Sequence, residues 1–292
     1  MICVSYGKRL PVPIHYDSDS LPDFNQHNAM TPEQEAAAFL LNHRINKHTI
    51  DNIPDELYPD SEAGAYAIQK VLVQNLTAQN NSISCGYKLA CTNKPIMELL
   101  NVNGPFSGRM MSHSTYPEDI ALCASDFVRR VVELEFVFVM ANDAPQAGEP
   151  YTADTIKQHI GSFVPGVEIV DHRYNDFTQV GGNALIADNA IHGASILGKP
   201  DPVLWKKQDL ARYPVTLYVN DQINALGNGA NVLGSPLNVM AWLANHLISR
   251  GKSLKAGDIV TTGTACNVYY ANAGDRITAD YGILGNVSFS FI

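Results

Sequence analysis

The hydrophobic pattern divides the chain into a short helical part and a longer strand-rich part. Thr31-Pro32-Glu33-Gln34 has an N-cap threonine, a proline in the first turn and a glutamine that completes a capping box, so it predicts a helix that runs to about Lys47. A second helix is predicted from about Ser61. Its apolar residues recur at helical spacing, as Ala65, Ile68, Leu72 and Leu76.

From Ser84 onward, short apolar runs bounded by turn residues predict strands at 84–89, 131–140, 167–170, 215–219, 259–262 and 287–292. One late helix opens at Ser235-Pro236 and closes before Gly251, and its core-facing residues are Val239, Met240, Leu243 and Leu247. We therefore expect an α+β protein with a mainly β core. The expected parts are an irregular arm over 1–30, a helical segment over 31–80 and a β domain over 81–292.

Two glutamates stand two residues apart inside the apolar run 131–140. Side chains at i and i+2 of a strand share a face, so Glu133 and Glu135 are expected to project together. Carboxylates on one buried face repel each other and lose hydration, and a divalent cation such as Mg²⁺ or Mn²⁺ is one way to compensate them. The alternatives are a half-exposed strand with solvent-facing glutamates, or pairing with Arg129 and Arg130.

A third acid strengthens the metal interpretation. Glu168 lies in a second short apolar strand, which we read as introduced by a turn at Pro165-Gly166, and Asp171 ends that strand. A carboxylate from a neighbouring strand would complete a set of oxygen ligands with positions left open for water and substrate.

Composition narrows the classes of protein. The chain has 292 residues, of which 46% are hydrophobic and 17% charged, as in well-packed globular proteins. A net charge of −9 argues against nucleic acid or an anionic membrane as a partner. Five scattered cysteines, the lack of a signal-peptide pattern and the lack of a membrane-length apolar run predict reduced thiols and a cytoplasmic protein.

Six segments of the chain form an ordered set of motifs. They are Gly86-Tyr87-Lys88-Leu89 with Thr92-Asn93-Lys94, Val132-Glu133-Leu134-Glu135, Val167-Glu168-Ile169-Val170-Asp171-His172-Arg173, Ala187-Asp188-Asn189-Ala190, Gly234-Ser235-Pro236 with Ala241-Trp242-Leu243-Ala244-Asn245, and 255–264. Taken in this order, they resemble the 2-keto-4-pentenoate hydratase and 4-oxalocrotonate decarboxylase group of the fumarylacetoacetate hydrolase superfamily. The resemblance covers roughly residues 31–292.

The resemblance implies a fold, a site and an assembly. The fold would be a mixed β-sheet roll with a small N-terminal helical segment, and the protein would be a homo-oligomer. Glu133, Glu135 and Glu168 would hold Mg²⁺ or Mn²⁺. Lys88 would be catalytic, and Thr264 would help bind the substrate carboxylate, with Asp188 and Asn189 as further substrate-binding residues. The reaction would be metal-dependent hydration of a 2-hydroxy-dienoate or 2-keto-enoate, a small 2-keto acid, through a stabilised enolate.

Two departures from the family pattern keep other functions open. Asn103 and Phe106 stand where aspartates are expected, and Ile191-His192 replaces small serines after the Asp-Asn pair. Asparagine cannot take up a proton as a carboxylate does, so the substrate differs, His192 supplies a catalytic polar group, or hydration is lost. The alternatives are a 4-oxalocrotonate-type decarboxylase, an acylpyruvase-type C–C hydrolase and a catalytically weak paralogue that serves as a subunit.

Overall fold

The computed structural model describes residues 29–292, so the arm expected at 1–30 lies almost entirely outside the described residues. The helices are α1 Pro32–Asn46, α2 Glu62–Gln79, α3 Lys94–Leu99, α4 Ala153–Lys157, α5 Gly182–Ala187 and α6 Pro236–Ser249. The strands are β1 Ser84–Ala90, β2 Phe106–Met111, β3 Thr115–Pro117, β4 Ala121–Leu122, β5 Val131–Met140, β6 Ile160–Val170, β7 His192–Leu197, β8 Pro214–Val219, β9 Gln222–Asn228, β10 Ile259–Thr264, β11 Tyr269–Tyr270, β12 Arg276–Asp280 and β13 Asn286–Phe291.

Two sheets form the β core. The larger sheet has the order β2-β1-β10-β5-β6-β7-β3, with β11 also paired to β5, and the smaller sheet has the order β4-β13-β12-β8-β9. The larger sheet is mixed, because β1 runs parallel to β10 whereas β10, β5, β6 and β7 pair antiparallel. The predicted α+β class, with a curled mixed sheet after a short helical segment, is confirmed.

The central strand β5 separates two environments. Its even-numbered side chains (Val132, Leu134, Phe136 and Phe138) are fully buried in the main core, which also contains apolar residues of β8, β12, β13 and α6. Glu133 and Glu135 point to the opposite face, as the two-residue period of a strand requires. At that side of the sheet, α1, α2 and α5 form a second core with residues of β2 and the ends of β5 and β6.

Local capping signals predicted three helices well. The Thr31 hydroxyl accepts from the Gln34 amide and the Gln34 side chain accepts from the Thr31 amide, so the capping box is complete. Ser61 caps α2 and Ser235 caps α6. The predicted apolar stripes of both helices are buried. No helix within 29–292 combines the length and the apolarity needed to cross a membrane.

The prediction of a turn at Pro165-Gly166 is wrong. Strand β6 runs straight through both residues, with Pro165 opposite Phe136 and Gly166 opposite Glu135. A Cβ on Gly166 would lie 2.2 Å from a methyl carbon of Val137, so glycine serves close strand packing here instead of a turn. The expectation of reduced cysteines holds for Cys85, Cys91 and Cys266, whereas Cys123 is disulfide-bonded.

Candidate active site

Three glutamates converge on the face of the larger sheet that turns away from the main core. Antiparallel pairing of β5 with β6 places Glu133 directly opposite Glu168, and Glu135 follows on the same face. One carboxylate oxygen from each of the three lies within 4.8 Å of the others. Glu135 and Glu168 are completely buried, whereas Glu133 is partly exposed. The face is therefore acidic and largely closed to solvent.

Two basic side chains contact one oxygen of this group. Lys88, on β1, places its Nζ 3.2 Å from Glu168 Oε1 and donates a 2.9 Å hydrogen bond to the carbonyl of Ala190. His192, at the start of β7, places Nδ1 2.9 Å from the same oxygen. Both side chains are buried. The structure thus brings together five of the predicted site residues: Glu133, Glu135, Glu168, Lys88 and His192.

The electrostatics divide the three acids. Burial tends to raise the pKa of Glu168, but Lys88 and His192 outweigh it and hold this pKa at about 2. Burial and the neighbouring Glu168 raise the pKa of Glu133 to about 7, although Lys88 opposes the shift. The same two causes raise the pKa of Glu135 well above its ordinary value. Burial tends to lower the pKa of Lys88, yet the glutamates raise it overall, so this lysine stays protonated.

The donor set fits a hard divalent cation. Glu135 Oε1 and Glu168 Oε2 are buried and have no hydrogen-bond partner among residues 29–292. Buried carboxylate oxygens without partners are costly, and three carboxylates face a single lysine. Converging carboxylate oxygens are the ligands that Mg²⁺ and Mn²⁺ prefer. A cation would therefore satisfy both the charge and the unpartnered oxygens.

An irregularity in the pairing near the end of β10, between Thr261 and Thr264, supports Glu135. The Gly263 amide donates to Glu135 Oε2. Gly263 has φ +92°, and a Cβ there would lie 2.0 Å from the Thr92 hydroxyl oxygen, so only glycine fits. Thr264 lies opposite Glu135 in the β10–β5 pairing, and its hydroxyl donates 2.9 Å to the carbonyl of Cys266. The predicted substrate-binding threonine is thus beside the acids.

Asp188 and Asn189 lie behind Lys88 and His192, and do not touch the glutamates. The Asp188 carboxylate is completely buried and accepts from Arg44 at 2.7 Å and Arg173 at 3.0 Å. The Asn189 side chain forms two hydrogen bonds, of 2.7 and 2.9 Å, with the backbone of Arg109. Their polar atoms are therefore engaged by the protein itself.

The alternative partners proposed for the glutamates lie elsewhere. The Arg130 guanidinium donates to the carbonyls of Ala271 and Ala124, and the Arg129 amide donates to Asp171. Asp171 is also paired with Arg173, so it does not join the three glutamates. Asn103 and Phe106, which stand where aspartates were expected, both line a surface cleft of about 510 Å³ between α2, α5 and α6, and Phe106 also packs in the second core.

Sequence reasoning missed two contributors to this site. Gly263 carried a readable signal, because a glycine between two strand threonines indicates a special backbone conformation. Arg44 carried none, because it looks like an ordinary basic residue in the last turn of α1. It reaches Asp188 across 144 positions of sequence.

Comparison with known proteins identifies the family. Residues 98–291 match the profile described as "Fumarylacetoacetate (FAA) hydrolase C-terminal". The chain belongs to this family. Within the FAA hydrolase family it is 31% identical to 2-keto-4-pentenoate hydratase 1 of Dechloromonas aromatica, over 90% of this chain and 99% of that protein.

Two further relatives place the chain within the hydratase and decarboxylase group. It is 30% identical to 4-oxalocrotonate decarboxylase of Pseudomonas putida, over 88% of this chain and 95% of that protein. The solved structure of 4-oxalocrotonate decarboxylase from Pseudomonas putida G7, complexed with magnesium and adipate, superposes with a TM-score of 0.82 at 27% identity, over 91% of this chain and all of that one. The resemblance inferred from the sequence motifs is confirmed.

Proposed function

We propose that this protein is a divalent-metal-dependent lyase of the hydratase type, which adds water to a 2-hydroxy-dienoate or 2-keto-enoate. The observation that carries this proposal is the convergence of three carboxylates, two of them completely buried, with Lys88 against one of them. An arrangement with unpartnered acidic oxygens beside a fixed ammonium group suits a substrate that develops negative charge on an enolate oxygen. The named hydratase relatives support the same reaction class.

Glu133, Glu135 and Glu168 would hold Mg²⁺ or Mn²⁺. When bound, such a cation supplies Lewis acidity and accepts the carboxylate and keto oxygens of a 2-keto acid. The Gly263 amide keeps Glu135 oriented, because it donates to one oxygen and leaves Oε1 available. The paired His192 and Lys88 keep Glu168 ionised.

Lys88 and His192 act on protons and charge. Lys88 is protonated at Nζ and acts in one of two ways: its positive charge stabilises the dienolate, or it gives the Nζ proton to carbon and takes a proton back from the 2-hydroxyl group of the dienol. Ionised Glu168 can only accept a hydrogen bond, so His192 donates from Nδ1 and, in the neutral ring, presents a lone pair at Nε2. Nε2 is buried and has no partner among residues 29–292, so it can hold the attacking water or a substrate oxygen.

The remaining predicted site residues act around the substrate. The hydroxyl of Thr264, beside Glu135, binds the substrate carboxylate after it exchanges its contact with Cys266. Asp188 and Asn189 contribute through the backbone that they hold, because their own polar atoms are already bonded to arginine groups. Their substrate-binding role is therefore indirect.

Decarboxylation of a 4-oxalocrotonate-type substrate is the second candidate. Asn103 and Phe106, which replace expected aspartates, remove carboxylates that could assist water addition. Loss of CO₂ needs no such base, because the same enolate stabilisation accepts the electron pair that the departing CO₂ leaves behind. The structural similarity to a 4-oxalocrotonate decarboxylase favours this candidate.

A spectroscopic assay distinguishes the candidates. Loss of 2-hydroxypenta-2,4-dienoate and of 4-oxalocrotonate is followed with and without Mg²⁺ or Mn²⁺. Metal-dependent loss of the dienoate with a hydroxylated product supports the hydratase, and metal-dependent release of CO₂ supports the decarboxylase. Turnover of an acylpyruvate alone would indicate the C–C hydrolase, and no turnover despite metal binding would indicate a non-catalytic paralogue.

The proposal also covers the oligomeric state and the cellular compartment of the enzyme. Ile223, Leu226 and Ile283 are exposed by more than 60% each, and burial of such side chains between subunits would support a homo-oligomer. Light scattering coupled to size-exclusion chromatography measures the mass of the assembly. The free thiols of Cys85, Cys91 and Cys266 agree with a cytoplasmic protein, whereas the disulfide of Cys123 is typical of an oxidising compartment, and cell fractionation decides between the two.

A further inference from the structure

The backbone between Asp188 and His192 adopts a conformation that its residues disfavour. Asn189, Ala190 and Ile191 have φ values of 55°, 50° and 53°, three consecutive left-handed residues without a glycine. Left-handed backbone costs free energy for every L-residue with a Cβ, most of all for a β-branched one such as Ile191. The surrounding protein must therefore hold this left-handed turn, defined as 189–191.

This left-handed turn sets both basic groups of the site. The carbonyl of Ala190 accepts from Lys88 Nζ, and His192 follows the turn directly. The two side chains meet at the same oxygen of Glu168, at 3.2 and 2.9 Å. A change in the turn would consequently move the acceptor of Lys88 and the backbone of His192 together.

One guanidinium spans the two ends of the turn. Arg44 Nε donates 2.7 Å to Asp188 Oδ1 and Nη2 donates 2.6 Å to the carbonyl of Asp188, at the start of the turn. Its Nη1 donates 3.1 Å to the carbonyl of His192, at the end. The planar fork of arginine can make these contacts at once, whereas the single ammonium group of lysine cannot.

Other contacts support the turn from its remaining sides. The Asn189 side chain is bonded to the Arg109 backbone, and a Cβ at Gly108 would lie 2.4 Å from the carbonyl oxygen of Asn189. The second carboxylate oxygen of Asp188 accepts from Arg173. Among the side chains of residues 29–292, only Arg44 donates hydrogen bonds both to the residue before the turn and to the residue after it.

We propose that Arg44 is a positioning residue of the active site, which holds the left-handed turn so that Lys88 and His192 meet Glu168. Arg44 belongs to α1 and lies outside residues 98–291, which match the family profile. The first helix is thereby part of the catalytic apparatus through a contact with the backbone behind the site. The expected effect of Arg44 on turnover rests on the proposed function, whereas its expected effect on the backbone of residues 189–192 does not.

The test compares Arg44→Lys with wild type by hydrogen exchange and by kinetics. In R44K the amides of 189–192 are expected to exchange about tenfold faster or more, while a peptide from β13 is unchanged. Turnover should fall about tenfold or more with KM changed by less than about threefold, because misplacement of Lys88 and His192 affects the reaction more than binding. The exposed Arg212→Lys is the matched control and should change neither quantity.

A second substitution separates positioning from simple stability. Ala190→Gly removes the Cβ penalty of one left-handed residue, so in the double variant R44K/A190G turnover and exchange protection should recover about threefold or more relative to R44K. If R44K does not fold, Arg44→Gln with and without A190G provides the same comparison. Unchanged exchange in R44K, faster exchange with wild-type kcat, or no recovery by A190G would overturn the proposal.

The role of Arg44 can be tested even if the proposed function is wrong. If wild-type protein turns over neither the dienoate nor 4-oxalocrotonate, the proposed function fails. Hydrogen exchange of residues 189–192 and acylation of Lys88 then still test the clamp, by which we mean the contacts of Arg44 with Asp188 and His192. Lys88 is 1% exposed and should resist acetic anhydride in wild type. In R44K it should react about tenfold faster or more as its acceptor moves, and equal reactivity in the two proteins would contradict the clamp.

Discussion

Two buried clusters of charge lie close together behind the larger sheet, and they are built in opposite ways. The arginine–aspartate network consists of Arg44, Arg173, Asp171 and Asp188, two cations against two anions. All four carboxylate oxygens of this network have donors. The acidic centre consists of Glu133, Glu135 and Glu168 against Lys88 and His192. It has three carboxyl groups against two basic side chains, and two of the carboxyl oxygens have no partner among the described residues.

This difference indicates that the arginine–aspartate network stabilises the fold, whereas the acidic centre is suited to bind a ligand. A charge-balanced cluster whose carboxylate oxygens all have donors needs no ligand, although Arg173 Nε has no partner among the described residues, and removal of one of its charges should cost stability. An unbalanced cluster is costly to the folded chain alone, and it gains stability from whatever binds there. Substitution of a charged residue in the arginine–aspartate network should therefore lower the free energy of unfolding. Substitution of a glutamate in the acidic centre should weaken metal binding without lowering the stability of the metal-free protein.

The largest expected effect is a loss of stability when the arginine–aspartate network is altered. Asp188→Asn leaves Arg44 and Arg173 without their shared anion in a fully buried position, so the free energy of unfolding should fall by about 3 kcal/mol or more. Urea denaturation measures the change. The matched control is Asp209→Asn, which breaks an exposed pair with Arg212 and should cost less than about 0.5 kcal/mol. Equal losses in the two variants would remove the distinction.

The next effect is on turnover. Lys88→Met keeps the shape of the side chain but removes the charge beside Glu168, so turnover should fall about a hundredfold or more. Divalent-metal affinity should be kept or increased, because a competing cation has gone. Lys199→Met is the control, since Lys199 is 91% exposed. Wild-type turnover of Lys88→Met, measured on metal-loaded protein, would exclude Lys88 from the reaction.

A smaller effect is on metal affinity. Glu133→Gln and Glu135→Gln each remove a charged oxygen donor, so calorimetry should show Mn²⁺ binding weakened about tenfold or more. The metal-free Glu135→Gln variant should be as stable as wild type or more so, because burial and Glu168 raise the pKa of Glu135 and make its ionised form costly, a cost that the neutral amide avoids. Exposed Glu98→Gln is the control for both measurements. Undiminished affinity in both variants would refute the three-glutamate site.

The smallest effect is on the pH dependence of stability, through His172, which lies next to the arginine–aspartate network. Burial, together with the charges of Arg129 and Arg173, lowers the pKa of His172 from 6.5 to about 4. Because the folded-state pKa is the lower one, the neutral ring contributes stability that is fully present above about pH 6.5 and is lost as the pH falls toward 4. His172→Gln should therefore reduce the fall in Tm between pH 7 and pH 5.

The control for this pH effect is His48→Gln at an exposed position, which should follow wild type. A fall in Tm of the same size in His172→Gln and wild type would show that His172 does not titrate as inferred. The comparison uses metal-free protein, so that loss of metal at low pH does not add to the result.

The part of the site that the sequence predicted follows from local periodicity. Glu133 and Glu135 share a face because strand side chains alternate, and helices α1, α2 and α6 begin where their caps predict. Glu168 was predicted from a second apolar strand, and the family motifs added Lys88; both residues lie on strands other than β5. Their convergence depends on strand order, which no single segment encodes.

The parts that the sequence did not predict depend on distant contacts. Strand β7 is buried along most of its length and shows no alternation, and β6 continues through a Pro-Gly pair that normally ends strands. The left-handed turn at 189–191 contains no glycine to signal it. Its clamp, Arg44, acts across 144 residues, so no local pattern could reveal it.

The most direct test of the central claim is a Mn²⁺ titration of metal-stripped protein, with binding and turnover of 2-hydroxypenta-2,4-dienoate or 4-oxalocrotonate followed together. Turnover should rise in proportion to bound metal and reach its limit at one ion per chain, and Glu135→Gln should shift both curves to higher metal concentration. Equal turnover in excess chelator, or saturation of metal binding without any turnover, would contradict the assignment of the acidic centre as a metal-dependent active site.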